Sequence, residues 1–231
     1  MSETRQGTPA GLRIEEASLA MIDAEVGPHT FSPAEWPVVR RVIHATADFD
    51  FSRTLVFGRT AAEVGIAALR RGAPVVCDVQ MVASGLSPAK LGTVGSSVRC
   101  FISDEDVVRA AHQANGTRAA EAMRKAHRLG LLTGAIVAIG NAPTALSEVQ
   151  RLVAGEGAVP ALIVGVPVGF VGAVEAKEAA LALPLPHIVA RGRKGGSPVA
   201  VAIVHALLAL AVEGARCAAV DELAERSEAF P

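Results

Sequence analysis

GAIVAIGNAPTAL, at residues 134–146, is the stretch of sequence that decides the fold. Its apolar part, Ala135–Ile139, carries no charge, which is typical of a strand buried on both faces of a parallel sheet. The residues that follow, GNAPT at 140–144, form a loop because glycine, asparagine and proline interrupt regular structure. A buried strand that leads through a short loop into a helix is the unit from which α/β domains are built.

The same alternation of apolar bursts and helical patterns runs along the chain. The other candidate strands are Thr54–Phe57, Pro74–Val79, Val98–Ile102, Ala161–Val166 and His187–Ala190. Helices are predicted over Pro33–His44, Thr60–Arg71, Ser103–His112, Thr117–Arg128 and Val199–Leu210, the last with Ser197-Pro198 as its start signal. This order of elements predicts a single α/β domain of three α/β/α layers, with a mainly parallel sheet and helices on both faces.

The two ends of the chain depart from this pattern. Residues 1–12 are polar and punctuated by glycine and proline, so we expect a disordered N-terminal extension. The domain is expected over residues 13–212 and a C-terminal tail over residues 213–231. No apolar run of a signal peptide stands near the start, and three scattered cysteines without a C-x-x-C fit a reducing compartment. We therefore expect a cytoplasmic protein.

Composition excludes several classes of function. The 231 residues are 51% hydrophobic, which excludes disorder, and 3% aromatic, which argues against proteins that stack single-stranded nucleic acid on aromatic rings. A net charge of −1 provides no global field for DNA or anionic lipid. We expect no nucleic-acid partner, and a polyanionic ligand would need a local cluster of basic residues.

One uncharged stretch, residues 157–174, approaches the length of a membrane span. It contains four glycines together with Pro160 and Pro167, and its apolar residues come in short bursts. A buried parallel strand followed by a loop explains this pattern better. We therefore expect no membrane association.

Three loops that follow predicted strands could carry chemistry: residues 140–144, 165–172 and 191–197. In open α/β sheets, ligands bind at the carboxyl ends of the strands. Glycines in these loops allow close approach of a ligand, and Arg191, Arg193 and Lys194 add positive charge. Ordinary turns and solvated charges explain any one of the loops, but three at one edge predict a polyanionic ligand.

The motifs of common nucleotide, hydrolase and metal sites are missing from the sequence. It contains no G-x-x-x-x-G-K-[ST], no G-x-G-x-x-G after a strand and no G-x-S-x-G. It also contains no H-E-x-x-H and no cluster of histidines and carboxylates at metal-ligand spacing. The sequence therefore offers no standard nucleotide, hydrolase or metal site, and we expect no metal ligands in it.

His44 is the histidine whose sequence surroundings point to catalysis. It ends the predicted helix Pro33–His44, and Arg41, three residues earlier, shares its helix face. A cation beside a group that titrates near neutral pH suits acid–base chemistry on an anionic substrate. A histidine favoured by the dipole at a helix C-terminus explains the same pattern, so both interpretations stay open. Four of the other five histidines are expected to be solvated (His112 and His127), packed in the core (His205) or structural (His187).

Seven segments together resemble the precorrin-8X methylmutases, enzymes of corrin-ring (cobalamin) biosynthesis. They are SLAMIDAE (18–25), RRVIHATAD (40–48), PVVCDVQMVASG (74–85), NGTR (115–118), GAIVAIGNAPTAL (134–146), GVPVGFVGAVEAKEA (165–179) and RGRKGGSP (191–198). They occur in the family's order and span about residues 13–210. The resemblance implies an α/β/α homodimer that uses no organic cofactor.

The resemblance also implies an activity and the residues that serve it. Such enzymes move a methyl group from C-11 to C-12 of precorrin-8X or cobalt-precorrin-8, which gives hydrogenobyrinate or cobyrinate. The catalytic histidine of the family falls on His44, and its substrate-contacting serine and arginine fall on Ser18 and Arg41. The NGTR segment offers Arg118 as a further carboxylate contact. Beside the resemblance, Arg191 and Arg193 are suited to pair with carboxylates at the rim of the ring.

Two other functions remain open at this point. A non-catalytic tetrapyrrole carrier would use His44 only as a hydrogen-bond partner, and turnover by the purified, cofactor-free protein separates it from an enzyme. An S-adenosylmethionine-dependent methyltransferase needs a glycine-rich loop after an early strand, whereas only Gly58-Arg59-Thr60 follows Thr54–Phe57. Transfer of a labelled methyl group from that cofactor would identify this third function.

Overall fold

One six-stranded sheet forms the centre of the molecule; the computed structural model describes the backbone of residues 8–228 and the side chains of residues 8–214. The strands are β1 Leu55–Gly58, β2 Val75–Cys77, β3 Val98–Arg99, β4 Ile136–Ile139, β5 Leu162–Gly165 and β6 His187–Ala190. Their order in the sheet is β1-β6-β5-β4-β2-β3. All neighbours are parallel except β1, which pairs with β6 in the antiparallel sense.

All six predicted strands are present, and β6 has its predicted bounds. β2 and β3 stop at Cys77 and Arg99, short of the ends predicted at Val79 and Ile102. Eleven helices lie within the described residues. They are α1 Pro9–Val26, α2 Trp36–Thr46, α3 Phe51–Thr54, α4 Ala61–Arg70, α5 Gln80–Gly85, α6 Pro88–Thr93, α7 Glu105–Gln113, α8 Arg118–Arg128, α9 Pro143–Gly155, α10 Ala173–Leu181 and α11 Ser197–Glu228.

The helices form a layer on each face of the sheet. Side chains alternate along a strand, so Cys77 and Ala138 point to one face and Val76 and Val137 to the other. The first face packs against α2, α4, α5 and α11, and the second packs against α8, α9 and α10. This arrangement confirms the predicted three-layer α/β/α fold.

The helices at the two ends of the chain extend past the predicted boundaries at residues 12 and 212. α1 already begins at Pro9, where the side chain of Thr8 accepts a hydrogen bond from the Gly11 amide at 3.2 Å. A threonine cap followed by proline is a helix start, which a prediction based on polarity alone misses. α11 begins at Ser197, within the predicted start signal Ser197-Pro198, and continues without a break to Glu228. Residues 1–7 of the predicted N-terminal extension lie outside the described residues.

One helix segment is long and apolar enough to cross a membrane by length and composition. It is Ser197–Gly214 of α11, with a mean hydropathy of 1.8, and 56% of it is buried inside the fold. This part of α11 packs on α2, α4 and α5 and against the sheet, as the core helix of a folded domain does. The stretch at residues 157–174, considered above as a span, forms β5, the loops on either side of it and the first two residues of α10.

Candidate active site

The loop after β4 is held by a buried carboxylate at the carboxyl edge of the sheet. Asp78, directly after β2, accepts hydrogen bonds from the amides of Gly140, Asn141 and Ala142 at 3.1, 2.8 and 2.8 Å. Burial raises the pKa of Asp78, although the three amides oppose this change. These amides are therefore occupied by the protein itself, which removes them from the surface predicted to bind an anion. Sequence analysis could have identified Asp78, because it is an acidic residue directly after a buried apolar strand.

The loops after β5 and β6 pack on each other. The Gly196 amide donates to the Val166 carbonyl at 2.8 Å, and the Gly169 amide donates to the Arg193 carbonyl at 3.2 Å. A Cβ atom on Gly195 would lie 2.2 Å from the Val166 carbonyl oxygen, so the contact requires glycine. We call residues 191–196 the basic loop; its conformation is fixed by these backbone contacts.

The charges of the basic loop divide into one that is neutralised and two that are accessible. Lys194 pairs with Asp48 at 2.7 Å and with Asp50 at 2.6 Å, so its charge is engaged by the segment that follows α2. The exposed Arg191 lies 3.7 Å from Glu178, and the exposed Arg193 lies 5.4 Å from the ring centre of Phe170. Arg191 and Arg193 remain open to a ligand carboxylate.

A cleft of about 540 Å³ lies between α1, α2 and α11. It is lined by Gly11, Ile14, Glu15, Arg41, His44, Ala45, Pro198, Val201, Ala202 and His205. The core side of α2 buries Val38, Val42 and Ile43, which leaves Arg41 and His44 on the side that faces the cleft. The structure thus brings together the two α2 residues that the sequence placed on one helix face.

Arg41 forms an ion pair with Glu15 of α1 inside the cleft. The hydrogen bond from Arg41 is the main cause that holds the pKa of Glu15 below its usual value. A second pair, Arg40 with Asp23 at 2.9 Å, joins the same two helices. Two arginines of α2 therefore fix α1 as a wall of the cleft, and Arg41 remains half-buried.

Ser18 and Arg118 do not line this cleft. The Ser18 hydroxyl donates to the Ile14 carbonyl at 2.7 Å, within its own helix. Arg118 is exposed at the start of α8, where the adjacent Thr117 hydroxyl donates to Thr144 in the first turn of α9 at 2.8 Å. Arg118 therefore lies on the side of the sheet opposite the cleft, and the roles of both residues stay predictions.

His205 lines the cleft, so its assignment to the packed core is wrong in this respect. Its side chain is half-buried, and its Nε2 accepts a hydrogen bond from the Ser87 amide at 3.1 Å. The apolar helix around it concealed this position from sequence analysis. His187, in contrast, is buried in β6 as a structural residue with Nδ1 2.9 Å from the Leu185 carbonyl.

Comparison with known proteins identifies the family. The sequence model of the precorrin-8X methylmutases (CbiC) matches residues 13–210. A curated relative from Leptospira interrogans, named cobalt-precorrin-8 methylmutase, is 53% identical over 212 residues, which cover 89% of this chain and 96% of the relative. A relative from a Sinorhizobium species, named precorrin-8X methylmutase, is 38% identical over 85% of this chain and 93% of its own length.

A solved structure agrees with these sequence relatives. The crystal structure described as precorrin-8X methyl mutase from Thermus thermophilus superposes with a TM-score of 0.83 and 48% sequence identity. The superposition covers 88% of this chain and 98% of that chain. The agreement in sequence and fold spans nearly the whole domain, and the chain belongs to the precorrin-8X methylmutase family.

Proposed function

We propose that this chain is an isomerase that moves a methyl group from C-11 to C-12 of precorrin-8X or cobalt-precorrin-8 in cobalamin biosynthesis. The observation that carries the proposal is the cleft in which Arg41 and His44 lie side by side on α2, within a chain of the methylmutase family. Arg41 can bind a carboxylate of the substrate there, while His44 exchanges a proton with the substrate ring.

The substrate is an apolar macrocycle whose rim carries carboxylates, and the cleft offers both kinds of contact. Ile14, Val201 and Ala202 supply apolar surface for the ring. Arg41 pairs with Glu15 through Nη1 and offers its other N–H donors to a rim carboxylate inside the cleft, whereas Arg193 of the basic loop binds one from outside it. Planar guanidinium groups suit this task because they pair with carboxylates through two parallel hydrogen bonds.

The reaction needs a proton at the right place rather than an external methyl donor. The carbon–carbon bond at C-11 breaks as the bond at C-12 forms, and substrate and product contain the same atoms. His44 gives a proton to the conjugated ring to draw electrons along it and takes the proton back when the product forms. Histidine is the side chain that most often serves as such a proton donor and acceptor.

A homodimer is part of the proposal, and α1 supplies its interface. Ile14 and Met21 are seven residues apart on one face of α1, and they are 68% and 72% exposed. Contact with a second copy would bury this apolar face beside the cleft, which Ile14 also lines. Light scattering should give twice the 23.7 kDa of one chain, and a 23.7 kDa particle at micromolar concentration would contradict the dimer.

The direct experiment is to incubate the purified protein with precorrin-8X alone and to follow the absorption spectrum. Methyl migration relocates the conjugated system, so the colour should change without any added cofactor. Binding without a colour change would indicate a carrier instead. A requirement for S-adenosylmethionine, with its labelled methyl group recovered in the product, would indicate the methyltransferase. The proposal also places the protein in the cytoplasm, where fractionation of cells should find it.

A further inference from the structure

We propose that His205 is a substrate-binding residue: a neutral imidazole that donates its Nδ1 proton to a carboxylate of the substrate, in the same cleft as His44. The inference rests on the proposed function and adds a residue of α11 to the site. It assigns the two histidines of the cleft different tasks, since His44 exchanges protons and His205 holds the ring in place.

The first step is the tautomer of His205. Its Nε2 accepts a hydrogen bond from the backbone amide of Ser87, at 3.1 Å. A backbone amide can only donate, so Nε2 carries no proton and the proton of the neutral ring is on Nδ1. Ser87 also caps α6, where its hydroxyl accepts from the Lys90 amide at 3.4 Å. The orientation of the His205 ring is therefore set by a fixed element of the backbone.

The second step is the accessibility of Nδ1. Among the described residues, His205 makes one hydrogen bond of normal geometry, at Nε2, and the backbone of Gly85 lies near enough to the ring to favour a proton on it. No buried side-chain nitrogen or oxygen of the described residues lacks a partner, so Nδ1 must be reached by solvent. His205 lines the cleft, and its Nδ1 proton is accordingly a donor that a bound substrate can use.

The third step is the charge around the ring. Arg41 and His44 of α2, Glu15 of α1 and Lys90 of α6 are the titratable groups near it. Burial, Lys90 and Arg41 lower the pKa of His205 against a smaller opposing effect of the Gly85 backbone, and a second proton would also have to displace the Ser87 amide. These effects favour the neutral form of His205. Two cations against one carboxylate favour an anionic acceptor, and the substrate carries carboxylates.

Two substitutions separate this role from a structural one, because each retains one half of the imidazole. His205→Gln places an amide oxygen near the position of Nε2, so it retains the acceptor for Ser87 and removes the Nδ1 donor. His205→Asn places an amide nitrogen near the position of Nδ1, so it retains the donor and loses the contact with Ser87. The probe is hydrogenobyrinate, the cobalt-free product, titrated by its absorbance.

We expect His205→Gln to weaken product binding by about 10- to 100-fold, as for a lost hydrogen bond to a charged group, and His205→Asn to weaken it much less. KM should follow binding, whereas kcat should stay within about threefold, because the lost contact is made equally in the ground and transition states. Full binding by His205→Gln together with weak binding by His205→Asn would overturn the proposal, since that order marks a purely structural residue.

A spectroscopic measurement and the wild-type protein complete the test. The ¹⁵N chemical shifts of the His205 ring should report a neutral Nδ1–H tautomer at about pH 7.5, and a protonated ring there would contradict the proposal. Product titration does not depend on turnover, so it still decides the role of His205 if the wild type binds without reacting. Such a result would overturn the proposed function alone. A wild type that binds no product would overturn both.

Discussion

The side-chain ammonium of Lys177 donates a hydrogen bond to the carbonyl oxygen of Lys194 at 2.9 Å. Lys177 belongs to α10 and is fully buried, whereas Lys194 lies in the basic loop. Burial lowers the pKa of Lys177 to about 8. One buried cation thus anchors the loop that presents Arg191 and Arg193, at a cost in stability that depends on pH.

The pH dependence of stability should reveal this cost. Between about pH 8 and pH 10.5 the unfolded chain retains a proton on Lys177 that the folded protein has released, so stability rises with pH in this window. The free energy of unfolding of wild type minus that of Lys177→Met should therefore increase, by at most about 3 kcal/mol. Urea unfolding of both proteins at several pH values measures the difference, and a flat or falling difference would show that the amine titrates normally.

Removal of the Asp78 carboxylate should destabilise the protein strongly. Asp78→Ala leaves three loop amides without an acceptor, each worth about 1–3 kcal/mol, so we expect a loss of at least about 3 kcal/mol. Asp78→Asn should lose less, because one oxygen accepts from both Asn141 and Ala142 and only the Gly140 contact must break.

Asp106→Ala is the matched control for Asp78→Ala. Asp106 is an exposed carboxylate that pairs with Lys125, and loss of such a surface pair has little effect on stability. Urea unfolding of the variants compares them directly. If Asp78→Ala were no less stable than Asp106→Ala, the assignment of Asp78 as the residue that holds the loop would be wrong.

The two arginines assigned to the substrate rim should differ in their contribution to binding. Arg41 is half-buried in the cleft, so Arg41→Ala should weaken product binding by at least about 30-fold, or 2 kcal/mol. Arg193 is exposed, and Arg193→Ala should cost about fivefold or less. Affinity of the wild type should fall as salt rises. If both variants bound as tightly as wild type at low salt, the polyanion site would be misplaced.

The fold could be predicted from the sequence where local signals and burial agree. The run Ala135–Ile139 and the bounds of β6 follow from short apolar segments between breakers, because strands covered on both faces need continuous apolar sequence. The start of α1 could not be recognised from composition, since its Thr8-Pro9 signal lies in a polar segment. The antiparallel pairing of β1 with β6 depends on contacts between distant parts of the chain, which no local pattern encodes.

The site was predictable only where its residues share one helix. Arg41 and His44 are one turn apart, so helical periodicity alone placed them together. His205 belongs to another helix and is surrounded by apolar residues in the sequence. Such a sequence does not distinguish a residue in the core from one that lines a cleft. Lys194 illustrates the opposite error, because a charge in a loop was read as open to ligand although two aspartates neutralise it.

Turnover of His44→Ala tests the central claim most directly. General acid–base assistance is worth about 10²- to 10⁴-fold, so the variant should lose at least about 100-fold in kcat for precorrin-8X while it still binds hydrogenobyrinate. His112→Ala is the matched control, because His112, like His44, is exposed in the last turn of its helix, which is α7. This variant should retain most of the rate. A folded His44→Ala that turns over within about threefold of wild type would contradict the account.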